Sequence, residues 1–172
     1  MDAPIVTYAG FWKRFLAVII DGIVISVIQS ILFFPLYLFF GLSFFPFMNP
    51  EKYESNFSAV SVTQASDDFS TAVAITAIGG IFFIVLISTA LQWLYFALME
   101  SSSKQATLGK MALGIKVTDL DGNRISFGRA TGRYFGKILS GMILYIGFLM
   151  AGWTQKKQAL HDLLAGCLVV NN

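Results

Sequence analysis

The sequence has few of the side chains on which metal sites, redox centres and most hydrolases depend. Its 172 residues include one cysteine, Cys167, and one histidine, His161. A single cysteine excludes an intrachain disulfide and any cysteine-based metal site. Glycine-rich phosphate loops, nucleophile elbows and zinc-binding helix motifs are also missing from the sequence. We therefore expect no enzymatic activity, no bound metal and no cofactor.

Charged residues are also scarce, which argues against an ordinary soluble domain. They make up 13% of the sequence, and 56% of the residues are hydrophobic. Soluble domains average about 25% charged and about 45–50% apolar residues. Uncharged runs long enough to cross a bilayer occur more than once. We predict a single all-α membrane domain with two or three transmembrane helices, an interfacial or re-entrant segment and a small cytoplasmic β-hairpin.

The first apolar run extends over residues 15–48 and contains one charged side chain, Asp21. It is longer than the roughly 20 residues that one crossing requires. Pro35 lies where a helix beginning at residue 15 would leave the hydrocarbon, and proline removes a helical hydrogen bond. We place the first transmembrane helix at residues 15–34 and an aromatic interfacial extension at residues 36–48. A tilted continuation of the same helix explains the pattern equally well.

The distribution of charge along the chain predicts the topology. Residues 49–71 are polar and acidic, and residues 72–99 form a second uncharged run that we predict to cross the membrane. The basic residues between positions 100 and 137 are Lys104, Lys110, Lys116, Arg124, Arg129, Arg133 and Lys137. Because basic segments tend to remain in the cytoplasm, we expect the N-terminus and residues 100–137 there, and the acidic loop outside. The expected location is the bacterial cytoplasmic (inner) membrane.

Residues 138–153 form a third apolar segment, which is short for a full crossing. Basic residues flank it on both sides, Lys137 before it and Lys156 after it. Both ends are therefore expected on the cytoplasmic side. A re-entrant or interfacial segment and a plain third crossing both remain open.

The cytoplasmic region contains a predicted hairpin, formed by residues 114–118 and 124–127. Asp121-Gly122 between them is typical of a type I′ turn. Residues 167–170, in the C-terminal tail at 154–172, could add a strand. If this tail pairs with the hairpin, residues 128–157 must enter the membrane and return.

Asp21 is the first candidate functional residue, about 9 Å inside the first predicted helix by helical rise. An unpaired carboxylate there costs several kcal/mol, so Asp21 should be paired, hydrated or protonated. Gln92 in the second helix lies at a similar depth, and the two could form an ion or proton site. An acid that ties helices together by hydrogen bonds is an equally open interpretation. Arg14 is two helical turns from Asp21, so its partner should come from another segment or from lipid headgroups.

Two ridges run along the predicted helix that begins near residue 128. Gly128, Gly132, Gly136 and Ser140 recur every four residues, which favours close helix packing. Arg129, Arg133 and Lys137 form a basic ridge beside them, suited to anionic lipid headgroups. Orientation in a membrane explains these basic residues better than nucleic-acid binding does, so we expect no nucleic-acid partner.

Several motifs in order along the chain resemble the RDD family of bacterial membrane proteins. They are Gly10-Phe11-Trp12-Lys13-Arg14-Phe15, Thr107-Leu108-Gly109-Lys110, Gly114-Ile115-Lys116-Val117, Ser126-Phe127-Gly128-Arg129-Ala130 and Gln158-Ala159-Leu160-His161-Asp162. The one arginine and two aspartates that give the family its name correspond to Arg14, Asp21 and Asp162. The resemblance implies a suspected transport role, with sodium/proton antiport proposed for some members. It also makes Asp162 a candidate partner of Arg14.

Two functions follow from these observations. In the first, the protein exchanges monovalent cations for protons through Asp21, with Arg14 and Asp162 as a gate and Gln92 as a neutral ligand. Two or three crossings enclose little space, so this function requires a homo-oligomer. In the second, the protein is a non-transporting membrane module that binds anionic lipid or a partner protein.

Overall fold

The computed structural model describes residues 7–48, 62–143 and 146–172. The chain divides into two compact units, one formed by Met1–Ser26 with Ala90–Asn172 and the other by Val27–Thr89. Two long helices run through both units, α1 (Phe11–Met48) and α2 (Val62–Glu100). The remaining helices and both strands belong to the first unit. The predicted fold class, a helical membrane protein with a small β element, is confirmed.

Two segments are apolar and long enough to cross a membrane, Phe11–Leu42 in α1 and Val73–Glu100 in α2, each with a mean hydropathy of 2.4 in its apolar window. Helix α1 continues through Pro35 instead of ending there. Of the two interpretations of residues 36–48, the structure thus has the continuation of the first helix and not a separate extension. A chain in hydrocarbon keeps its helix across a proline because other backbone conformations would leave polar groups without partners. Residues 62–71 of the predicted acidic loop are helical, and residues 49–61 of that loop lie outside the described residues.

The described residues of the unit formed by Val27–Thr89 are two helical stretches, one from α1 and one from α2. The Gln29 Nε2 atom donates a hydrogen bond of 3.2 Å to the backbone oxygen of Ser88. The ring of Phe40 packs on Gly80 so closely that a Cβ atom there would lie 2.5 Å from the ring. A small residue at position 80 therefore lets the two helices approach within this unit.

In the other unit, α2 leads into α3 (Leu108–Ala112), strand β1 (Ile115–Asp119) and α4 (Phe127–Met142). These are followed by α5 (Ile146–Leu149), a 3₁₀ turn (Met150–Gly152), α6 (Leu160–Ala165) and strand β2 (Cys167–Asn171). Strands β1 and β2 pair antiparallel, with Ile115 opposite Asn171 and Asp119 opposite Cys167. Tyr8 forms a further bridge to Val170. The sheet thus joins the start, middle and end of the chain.

The local hairpin predicted from Asp121-Gly122 is not formed. Asp119 closes a turn by accepting hydrogen bonds from the backbone N–H groups of Asp121 and Asn123. Residues 124–126 form no strand, and Ser126 caps α4 instead. Strand β1 pairs instead with the tail. Residues 167–170 of the tail are all buried in β2, and the burial of apolar strand residues drives such pairing.

The core of this unit is small and built mainly from short apolar side chains. Its members are Ala9, Ala17, Ala97, Ile115, Val117, Ile125, Ala130, Cys167 and Val169. They come from the N-terminal segment, α1, α2, the loop before α4, α4 itself and both strands. The sheet and the first turns of α1 are therefore packed into one body.

The third apolar segment is not one straight helix. Helix α4 and the helical stretch Ile146–Gly152 are bent by 117° relative to each other. This angle is compatible with a broken span or with a re-entrant loop. The pairing of β1 with β2 places both ends of the segment between these strands at the same sheet. A segment that enters the membrane and returns requires this arrangement.

Candidate functional site

Asp21 is buried on α1 and holds the turn that precedes α3. It accepts hydrogen bonds from the Thr107 hydroxyl at 2.5 Å, the Gly109 backbone N–H at 2.7 Å and the Tyr95 hydroxyl at 2.9 Å. The Tyr95 oxygen in turn accepts a bond from the backbone N–H of Leu108. All three donors to the carboxylate are uncharged. Asp21 therefore joins α1, α2 and α3 without an ion pair among the described residues.

Gly109 is placed where a side chain cannot fit. A Cβ atom at this position would overlap the backbone oxygen of Ala17 and lie 2.9 Å from the Asp21 carboxyl carbon. The absence of a side chain lets the backbone of α3 reach α1 and donate its N–H to Asp21. The contact between these two helices is thus specified by one glycine and one aspartate.

A second buried carboxylate, Glu100, ends α2 and is surrounded by cations. Its Oε1 atom accepts a bond of 2.6 Å from Lys110 Nζ, and its Oε2 atom accepts one of 2.9 Å from Arg133 Nη1. Lys137 Nζ lies 3.6 Å from Oε1 and 4.0 Å from the centre of the Phe96 ring. Glu100 therefore connects α2 to α3 and α4 through charge.

The third carboxylate, Asp162, binds two arginines from different helices, Arg14 of α1 and Arg133 of α4. Arg14 Nη1 donates to Oδ2, and Arg133 Nε donates to Oδ1 at 2.8 Å. The backbone N–H of Ala159 also donates to Oδ2, so Asp162 caps the first turn of α6 as well. The pairing of Arg14 with Asp162 that the family resemblance implied is present.

The environment changes the protonation of several groups outside the spanning segments. Burial tends to raise the pKa of Asp162, but the charges of Arg133 and Arg14 outweigh it and hold this pKa well below its usual range. Burial lowers the pKa of His161 to about 3, so its imidazole is neutral. Burial, followed by the charge of Arg133, lowers the pKa of Lys110 to about 7 despite the opposing effect of Glu100.

A cavity of about 350 Å³ lies against this group of charges. Its polar lining comprises Arg14, Asp21, Lys110, Arg133, Lys137 and His161. Aromatic side chains, among them Phe15, Phe96 and Phe148, cover other parts of the wall. Glu100 and Asp162 are behind the cationic groups and do not line the cavity. The wall is therefore mostly apolar, and basic side chains contribute to it.

The other candidate residues differ in whether they belong to this site. Gln92 is half-buried on α2, and Tyr95, one turn further along the same helix, is the donor that reaches Asp21. Arg133 and Lys137, predicted to face lipid headgroups, are turned toward Glu100 because buried carboxylates attract them. Arg129 remains exposed at 53%, with Asp119 at 3.8 Å. Arg129 is thus the member of the basic ridge that is available at the surface.

Sequence reasoning missed Glu100, Lys110, Thr107 and Tyr95 as site residues. Glu100 marked only the end of an apolar run, and Lys110 counted only as one of many basic residues. The signal available was the Thr107-Leu108-Gly109-Lys110 motif, which supplies three groups at one turn. Within residues 7–48, 62–143 and 146–172, no three His, Cys, Asp or Glu side chains are grouped to hold a metal ion.

Two known proteins are similar to this chain over almost its whole length. The chain is 37% identical over 165 residues to the uncharacterized protein YxaI of Bacillus subtilis strain 168, which covers 94% of this chain and 96% of YxaI. It is 33% identical over 170 residues to the uncharacterized membrane protein YteJ of the same strain, which covers 95% of this chain and 81% of YteJ. No solved structure matches the chain significantly.

The family comparison covers both spans, strand β1 and the charge cluster. The sequence matches the RDD family over residues 8–166. This range includes Arg14, Asp21 and Asp162 as well as both long apolar helices. The chain is therefore a membrane protein that belongs to the RDD family.

Proposed function

We propose that this protein is a non-enzymatic membrane module that binds anionic lipid. The observation that carries this proposal is a mostly apolar cavity whose lining includes one carboxylate and four basic side chains. These side chains are Arg14, Lys110, Arg133 and Lys137. An anion gains electrostatic energy in such a site, because the low dielectric of a protein interior strengthens the interaction.

The surroundings of the cavity favour a ligand drawn from the bilayer over one from water. Phe15 and Val18 line it from α1, within the apolar segment Phe11–Leu42. An anionic phospholipid presents both a negative headgroup and hydrocarbon at this depth. We place the cavity, the N-terminal segment and residues 100–137 on the cytoplasmic side of the inner membrane, a topology supported by the basic residues there.

Selective retention of anionic lipid tests the proposal. The protein is purified in a neutral detergent, mixed with equal amounts of phosphatidylglycerol and phosphatidylcholine, and examined by native mass spectrometry. We expect about tenfold or greater preference for phosphatidylglycerol, about 1.4 kcal/mol. Both lipids carry a phosphate, but the basic groups repel the choline cation of phosphatidylcholine. A matched run at high salt controls for loose attraction to exposed residues such as Arg129, which salt screens. Equal retention of the two lipids contradicts the proposal.

A second candidate function is the exchange of monovalent cations for protons through Asp21 in a homo-oligomer. One observation favours it: Asp21 is a buried carboxylate that also lines the cavity. Two features weigh against it. The carboxylate already accepts three hydrogen bonds, and the basic groups on the same wall repel a cation. We therefore rank it below lipid binding.

Proton flux in liposomes tests exchange directly. Internal pH is followed after addition of sodium, lithium or potassium, for the native chain and for Asp21→Asn. Exchange through Asp21 predicts cation-dependent proton movement in the native chain and its loss in the variant. Because Asn cannot accept all three hydrogen bonds, the folding of Asp21→Asn is checked by circular dichroism. Silence of the folded native protein with all three cations rejects this function.

A further inference from the structure

Helix α4 exposes large apolar side chains along one face. Five of them lie within about a third of the helix circumference, as the roughly 3.6 residues per turn of an α-helix dictate. Contiguous exposed apolar patches mark contacts with lipid or with another protein. The five residues, called here the apolar face of α4, are Phe127 (41% exposed), Phe135 (53%), Ile138 (51%), Leu139 (44%) and Met142 (76%).

The opposite face of α4 is packed against the protein. Arg133 on this face binds both Glu100 and Asp162. A Cβ atom at Gly136 would lie 3.1 Å from the Cβ atom of His161. Rotation of α4 about its axis would break these contacts, so the charge cluster holds the apolar face pointing away from the protein.

The contacts of Trp93 place the apolar face beside the apolar segment of α2. Trp93 lies two helical turns, or about 10 Å, before the end of that segment at Glu100. The centre of its ring is 6.0 Å from that of Phe127 and 6.4 Å from that of Phe135. An interfacial helix buries its apolar side about 5–10 Å into the boundary between headgroups and acyl chains. The position of Trp93 agrees with such a depth.

The order of the contacts along α2 indicates that α4 does not descend into the bilayer. A helix that inserted from its first turn would place its later residues beside parts of α2 farther from Glu100. Instead, the Trp93 Nε1 atom donates a hydrogen bond of 3.2 Å to Thr131, whereas Glu100 itself contacts Arg133 and Lys137 further along α4. Helix α4 therefore crosses the end of α2 and remains at one level.

The composition of α4 is typical of an interfacial helix and not of a crossing one. Its 16 residues include Arg129, Arg133 and Lys137, and a crossing helix needs roughly 20 predominantly apolar residues. Helices that lie in the interface have one apolar and one charged face. Arg129 is 53% exposed and is suited to anionic headgroups at the edge of the apolar face.

The exposed apolar surface continues after α4. Gly147 packs so closely on Ser140 that a Cβ atom there would lie 2.9 Å from it, and the ring centre of Phe148 is 5.1 Å from that of His161. The stretch Ile146–Gly152 therefore folds back onto α4 and α6. Its neighbourhood exposes further apolar side chains, namely Ile143 (47%), Ile146 (48%), Leu149 (42%) and Trp153 (67%).

We propose that α4 lies parallel to the membrane plane with its apolar face in the acyl chains of the cytoplasmic leaflet, and that α4 and Ile146–Gly152 remain on that side of the bilayer. Acyl chains are the occupant because the apolar face is continuous, at Trp93, with the apolar segment of α2 that lipid surrounds. The shared sheet at both ends of this region also suits a helix that stays at one surface. This proposal does not depend on a ligand in the cavity.

Nitroxide labels at three positions of the apolar face test the proposal. The variants Phe135→Cys, Ile138→Cys and Met142→Cys are labelled and reconstituted in liposomes. Collision with oxygen, which concentrates in hydrocarbon, is compared with collision with a water-soluble nickel chelate. We expect the oxygen-to-nickel ratio to exceed that of the control severalfold at all three positions and to give one depth of about 5–10 Å.

The matched control is Arg129→Cys, an exposed position on the polar side of the same helix, which should contact the nickel chelate freely. The native protein, whose Cys167 is buried, is the labelling blank. Circular dichroism establishes that each variant is folded, and Leu139→Cys replaces a variant that is not. Because each position is measured independently, loss of one variant leaves the test intact.

Three other outcomes each overturn the proposal. A depth that increases by about 10 Å from position 135 to position 142 shows a helix that runs along the membrane normal. Access of the nickel chelate to all three labels shows that water covers the face. Labels that neither reagent reaches, with spin–spin broadening that disappears on dilution with unlabelled protein, show that a second copy of the chain covers it.

Discussion

Replacing Arg133 by methionine should remove about 3–5 kcal/mol from the free energy of unfolding. Arg133 is 3% exposed and donates to both Glu100 and Asp162. Methionine fills similar space but leaves two buried carboxylates with less positive charge around them, and breaking a buried ion pair from one side costs this much. The loss is a large share of the roughly 5–15 kcal/mol that stabilises a typical domain.

The measurement for Arg133→Met is thermal or denaturant unfolding in detergent, followed by tryptophan fluorescence. Arg129→Met is the matched control on the same helix. Arg129 is 53% exposed and lies 3.8 Å from Asp119, and surface ion pairs contribute about 0–1 kcal/mol. If both variants unfold at the same midpoint, the bridge between α2 and α6 does not stabilise the protein.

Replacing Gly109 by alanine should destabilise the protein by about 1–3 kcal/mol, the usual cost of forcing a methyl group into a packed site. The new Cβ atom would meet the backbone oxygen of Ala17 and the carboxyl group of Asp21. A backbone oxygen cannot rotate away as a flexible side chain can, so α3 must move. Its movement would lengthen the 2.7 Å bond from the Gly109 N–H to Asp21.

The same substitution at another glycine, Gly132→Ala, should not destabilise the protein. Gly132 is in α4, and a Cβ atom there has nothing within 4 Å. Alanine favours a helix interior over glycine by roughly 0.5–1 kcal/mol, so this variant should be as stable as the native protein or slightly more stable. Unfolding of both variants is compared in the same detergent. A Gly109→Ala protein with native stability would contradict the close contact between α1 and α3.

Site residues could be identified from the sequence where a short stretch of chain was enough to mark them. The others depend on contacts between distant parts of the chain. Asp21 was recognisable because a charge within an apolar run is conspicuous by itself. Arg133 and Lys137 were recognised as a basic ridge, but their direction was misjudged. Four-residue spacing says which side chains share a helix face, and it does not say whether that face meets lipid or a buried carboxylate.

The sheet shows the same limit for backbone pairing. Asp121-Gly122 predicts a turn, and a turn forms there. The choice of partner for β1 depends on burial, and the tail at Cys167–Asn171 competes with residues 124–127 across a long stretch of chain. The residues of the turn do not determine which partner β1 takes. The stabilisation of the pairing comes from contacts that form only after the chain has folded back.

The sequence by itself determined the two apolar spans, the cationic character of residues 100–137 and membership of the RDD family. Each depends on composition or on motifs of a few adjacent residues, and hydrocarbon imposes its requirements on every such segment separately. Only the tertiary structure decided that Arg14 meets Asp162 across 148 residues of sequence and that Arg133 joins Glu100 to Asp162. The attraction between two charges depends on their distance in space. The partners of charged residues are therefore set by tertiary packing and not by their order in the chain.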